Sequence, residues 1–142
     1  MTVVTAILSA CATPAPPVSF APITLSGDLT HTDHQTYREI PFSVPRGVGR
    51  ITIELAYSGK DQRTVIDMGV RDPQGQRGWS GGNKSKITIS EFDATPSYKP
   101  GRIQPGAWML VLGIPNIRDG QTAHYDAKVT FGPTDLALKP PA

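Results

Sequence analysis

The chain has 142 residues, among them 14 glycines and 14 prolines, and a formal net charge of +2 from 14 basic and 12 acidic side chains. That length suits one domain with one hydrophobic core, and Gly and Pro making up about a fifth of it favour turns over long helices. The balanced charge lacks the dense positive field of a nucleic-acid binder, so no nucleic-acid partner is expected.

Residues 1–27 carry no charged side chain, and Val3 to Leu8 form a short apolar run. A bilayer span needs about 20 such residues, so this run is too short to be one. It ends in Leu8-Ser9-Ala10-Cys11, which resembles a bacterial lipobox with Cys11 as the lipidated residue. Cys11 is also the only cysteine, so an intrachain disulfide is excluded. Residues 1–11 therefore read as a lipoprotein-type signal segment, and 12–22, rich in Pro and Ala, as an extended tether. Residues 23–132 read as the folded domain and 133–142 as a linker or ragged end. The expected location is exported, in the periplasm or cell envelope, touching the membrane through a lipid anchor only.

From Ile23 onward the hydrophobic period is two. Candidate strands are Ile23 to Leu29, Arg38 to Val44, Arg50 to Tyr57, Val65 to Arg71, Lys86 to Ser90, Trp108 to Leu112 and His124 to Phe131. Ile51, Ile53, Leu55 and Tyr57 share one face, as do Tyr125, Ala127, Val129 and Phe131, which is the pattern of half-buried antiparallel strands. Trp108 to Leu112 is apolar on both faces and reads as a central strand. Pro41 cannot donate to a ladder and places its strand at an edge. Turns are expected at 45–47, 58–61, 72–75 and 118–120, where Pro, Gly, Asp and Ser adopt turn geometry cheaply. About seven or eight short strands and no amphipathic helix predict an all-β antiparallel sandwich, jelly-roll or immunoglobulin-like, with a closed barrel as the alternative.

The stretch "GWSGGNKS", residues 78–85, fits one catalytic pattern and nearly fits another. Gly78-Trp79-Ser80-Gly81-Gly82 matches the G-x-S-x-G nucleophile elbow, and the phosphate-binding G-x-x-x-x-G-K-[ST] pattern is missed only at Asn83. Both chemistries need a helix after the loop, whereas Lys86 to Ser90 reads as a strand. A tight, positive-φ loop between strands is the expected structure of residues 78–84. Serine catalysis, with Asp93 or Asp119 and His124 completing a triad, is set aside on that context. His31, Asp33 and His34 are the only metal candidates, and a polar loop explains them better. No cofactor is expected.

Aromatic and basic residues gather in the loop-rich middle: Arg77, Trp79, Lys84, Tyr98 and Arg102, with Ser80 and Asn83 among them. This set is the candidate ligand or interdomain surface, and a Trp or Tyr platform with polar neighbours could stack on a sugar.

"YREIPFSV" (37–44), "GKDQRTVIDMGVRDPQGQRGWSGGNKSKITIS" (59–90) and "DATPSYKPGRIQPGAWMLVLGIPNI" (93–117) carry a further signal. Together they resemble the N-terminal β-sandwich region of bacterial metallohydrolases of the carbaryl-hydrolase type, whose chains continue into a PHP domain, a metal-dependent phosphoesterase fold. "RGWSGG" and "ATPSY-x-PG" are its most specific parts. The PHP metal site is opened by a His-x-His pair, which does not occur in this sequence. What the resemblance implies is a non-catalytic exported accessory domain, with a PHP-type catalytic domain or protein as partner. The alternative is a carbohydrate-binding or cell-surface recognition module using Trp79 and Tyr98.

Overall fold

The computed structural model describes residues 19–134. Eight strands dominate it: β1 Ile23–Thr30, β2 Thr36–Val44, β3 Val48–Tyr57, β4 Val65–Asp72, β5 Gly75–Ser80, β6 Lys86–Ser90, β7 Gly106–Asn116 and β8 Thr122–Pro133. Short 3-10 turns at His31–Asp33 and Lys60–Gln62 are the only helical elements among the described residues. Cys11, the expected signal segment, most of the expected tether and the expected linker after Thr134 lie outside the described residues. Within the segment expected to be a tether, Phe20 meets Phe131 edge-on at 6.4 Å and packs on the core.

The strands form two antiparallel sheets in the orders β1-β8-β3-β6 and β2-β7-β4-β5. β1 pairs with β8, β2 with β7, β3 with β6 and β4 with β5, as if one long hairpin had been folded over on itself. The β3–β8 and β4–β7 ladders then complete each sheet. This connectivity is a jelly roll, which decides against the immunoglobulin-like order, and the two separate sheets replace the closed barrel.

Period-two alternation sends one set of side chains between the sheets. Ile51, Ile53 and Leu55 of β3, Ile66, Met68 and Val70 of β4, Leu110, Leu112 and Ile114 of β7, and Ala127 and Val129 of β8 are all buried there. Each fully buried aliphatic side chain contributes roughly 1.5–3 kcal/mol by leaving water. β7, flanked by β2 and β4, is the central strand its sequence predicts, with Val111 on its outer face also buried. β2, with Pro41, is an edge strand as expected.

One expectation needs correction. Residues 78–80 are not part of a loop but the second half of β5, and the connection to β6 is confined to 81–85. Gly81 and Gly82 do not take positive φ angles. Gly78 does, at +158°, but what it serves is close approach, because a Cβ there would lie 2.4 Å from the Tyr98 ring. Alternation could not reveal β5, since "GQRGWS" has a single large apolar residue and an irregular register.

Candidate functional site

That irregular register decides where the candidate residues point. Arg71 pairs with Gln76 and Val70 with Gly78, which leaves Arg77 as the extra residue of a β-bulge. Without the bulge Gln76 and Trp79 would face opposite ways, since alternate residues share a face. With it, both join Arg71 and Gly69 on the outer face of the sheet, while Arg77, Ser80 and Gly78 turn towards the interior side.

The inward group is structural. Arg77 is 7% exposed. Its guanidinium donates to Asp72 Oδ2 at 2.9 Å and to the carbonyls of Lys99, Gly101 and Arg102, and lies 5.3 Å from the Trp108 ring centre. Asp72 Oδ1 accepts from the Gln74 and Gly75 amides, so one carboxylate closes the β4–β5 turn and holds the arginine. Ser80 is buried, its hydroxyl 2.8 Å from the Tyr98 hydroxyl and 3.3 Å from the Met68 carbonyl. Tyr98 is buried too and donates to the Met68 carbonyl at 2.9 Å, and burial pushes its phenol above the ordinary value. Arg77, Ser80 and Tyr98 are therefore removed from the candidate surface, and Tyr98 is no sugar platform. Main-chain bonds from Trp79 to Ser97 and from Lys99 to Arg77 cover the free edge of β5.

The serine reading has no base to work with. Ser80 is bonded to Tyr98 and Met68, Asp93 accepts from Ser90, and His124 lies on the outer face of the other sheet. There Asp28, hydrogen-bonded at 2.8 Å, and then nearby Asp126 hold the imidazole above its usual value. Asp126 is held below the carboxylate range, first by the Ser26 hydroxyl. With Thr24, Lys128, Glu54 and Lys86 in the next row, this outer face is a solvated lattice of mixed charge.

The phosphate and metal readings end in the same way. The Gly82 amide that would cradle an anion donates to the Asp67 carboxylate, whose pKa is raised by burial and held down by that bond. Lys84 donates its ammonium to the Pro96 carbonyl at 2.7 Å, and Asn83 is exposed beside it. Arg102 is exposed near Arg46, in a different recess. His31 and His34 stack with ring centres 5.2 Å apart. The His31 Nδ1 donates to the Ile117 carbonyl at 2.6 Å, and the His34 Nδ1 accepts from the Ile117 amide at 3.2 Å. Asp33 accepts from the Thr30 amide and pairs with Arg38 at 3.0 Å. Among the described residues no three His, Cys, Asp or Glu side chains converge to hold a metal. The trio instead pegs β1 and the β1–β2 turn to the end of β7.

What remains is the outer face of β2-β7-β4-β5. Its registers set three rows: Tyr37, Gly113 and Asp67; then Glu39, Val111, Gly69 and Trp79; then Pro41, Met109, Arg71 and Gln76. Trp79 reaches from the edge strand across its neighbours. A Cβ on Gly69 would lie 2.2 Å from indole Cε3, and one on Gly113 2.9 Å from Cη2 and 3.4 Å from Tyr37 Cε1. The two glycines thus form a bare strip of backbone on which the indole lies. Tyr37, 73% exposed, meets the indole at 64° with ring centres 5.8 Å apart, so the rings form a corner above Gly113. Glu39 and Arg71 bridge over β7 as an ion pair on one side of the corner, and Asp67 lies on the other. Tyr37, Glu39, Arg71, Gln76, Trp79 and Val111 line a recess of about 410 Å³, within the range of small-ligand sites. A second recess of about 350 Å³, beside Gln35 and Asp67, adjoins it through Tyr37.

Of the sequence-selected surface residues only Trp79 belongs to this corner. Tyr37, Glu39, Asp67, Arg71 and Gln76 lie outside that selection. The available signal was glycine inside a strand pattern: Gly69 and Gly113 interrupt apolar runs where another group comes close to the backbone. No family model matches the chain, and no curated protein matches it. Among solved structures the chain is similar to Aeromonas hydrophila PliG, a periplasmic lysozyme inhibitor of g-type lysozyme, with a TM-score of 0.44 and 16% identity over 81% of this chain and 93% of that one.

Proposed function

We propose that the chain is a non-catalytic, exported binding module whose working surface is the outer face of β2-β7-β4-β5. One observation carries the reading: Tyr37 and Trp79 form an aromatic corner at the surface, whereas Ser80, Arg77, Tyr98, His31 and His34 are all committed to internal bonds. An aromatic pair on a rigid sheet, Tyr37 exposed and Trp79 half-buried, with charged groups at its rim, suits recognition. Export is supported by the lipobox-like Leu8 to Cys11. The sequence resemblance supports a place beside a PHP-type metal-dependent hydrolase, where this domain contributes binding and the partner the chemistry.

Co-sedimentation with isolated bacterial cell envelopes tests the reading, using the full chain with Cys11→Ser to remove any lipid attachment. The chain should sediment, and Tyr37→Ala, which removes an exposed ring and no core contact, should leave most of it in the supernatant. Equal sedimentation of both, or none by either, would contradict the assignment of this face.

A further inference from the structure

The chemistry of the corner is specific enough to name a ligand class. We infer that it binds a neutral, gluco-configured pyranose within an oligosaccharide, stacked on the outward face of the Trp79 indole; this rests on the working face proposed above. A pyranose with all substituents equatorial presents a flat set of axial C–H bonds, apolar and complementary to an aromatic face. The indole is already laid against the β4 and β7 backbones at Gly69 and Gly113, so little orientational freedom is lost on stacking. Tyr37, standing at 64° to it, closes one side against the sugar's edge.

The rim supplies what equatorial hydroxyls need. Asp67 and Glu39 are acceptors, and Arg71, tied to Glu39, is a donor fixed in place. Gln76 is fixed too, its amide donating to the Gly78 carbonyl at 2.7 Å. Charge selects within the sugars. The Glu39–Arg71 pair is neutral as a unit and Asp67 adds a negative charge, so the face offers no uncompensated cation to a uronate, sulfate or phosphate group. A protein partner would need about 800 Å² of surface with an apolar centre, and here the apolar side chains are one indole, one phenol, Pro41 and Met109, with the Glu39–Arg71 pair set among them.

The protein carries its own probe, because Trp79 and Trp108 are the only tryptophans and Trp108 is 1% exposed. Fluorescence of the full chain is titrated with cellotetraose and, separately, with tetragalacturonate, after acrylamide quenching has shown whether Trp79 is open. The expected result is a saturable emission change with cellotetraose only, weakened about tenfold in Tyr37→Ala, the loss of one aromatic contact. A quenchable Trp79 with no response to cellotetraose, or an equal response to tetragalacturonate, would overturn the sugar assignment and leave the working face intact. A Trp79 that acrylamide does not quench would overturn both.

Discussion

Arg77 and Trp79 are two residues apart in sequence and have opposite roles, and the difference comes from what each side chain can satisfy. A guanidinium has five donors and enters an interior only when they are met. Arg77 meets four of the five, with Asp72 and three carbonyls from 99–102, fastening that segment to the β4–β5 hairpin. Replacing it with methionine keeps much of the volume but leaves the Asp72 carboxylate, 8% exposed, without its cation. Arg77→Met should therefore lose about 3–5 kcal/mol in a denaturant melt, the cost of stranding one partner of a buried pair. A loss below about 1 kcal/mol would mean that the pair is not what holds the segment. In sequence, arginine among aromatic residues reads as a surface group. Three of the four acceptors that bury this one are carbonyls more than twenty positions away, and carbonyls leave no mark in a sequence.

At the scale of the element, β5 shows how a single extra residue creates a site. Its bulge moves Trp79 onto the same face as Gln76, and Gly69 and Gly113 on the neighbouring strands leave the space the indole occupies. Gly69→Ala tests this without touching any exposed group: the new Cβ would fall 2.2 Å from indole Cε3, so the ring must lift. The expected outcome is about 1–3 kcal/mol of lost stability, the usual cost of overpacking, with tryptophan emission shifted to the red and stronger quenching by acrylamide. Unchanged emission would show that the indole does not rest on the strip. The seven regular strands were legible because their apolar residues alternate or run unbroken, as in Ile51-Thr52-Ile53 and Trp108 to Leu112. β5 was not, because its inward positions are filled by arginine, glycine and serine, and its one large ring faces out.

For the whole molecule, the jelly roll explains why the site lies where it does. Pairing β2 with β7 and β4 with β5 brings Tyr37 and Trp79, 42 positions apart by their numbers, onto one face through two intervening strands. Sequence could deliver the sandwich, since turn spacing and period-two runs are local. It could not deliver strand order, which depends on pairings such as Ile23 with Val129, and so it grouped Trp79 with sequence neighbours that turn inward. The two outer faces also differ in kind. One is a lattice of Thr, Lys, Glu, Asp and His suited to water, and the other carries the aromatic corner. Chemical-shift mapping of the isotopically labelled full chain with cellotetraose compares them in one experiment. The account predicts that the Trp79 indole N–H, and the amides around Gly69, Val111 and Gly113, move while those around His124 and Lys128 stay in place. Movement centred on the His124 face would contradict the working face, and none on either face would contradict the sugar assignment.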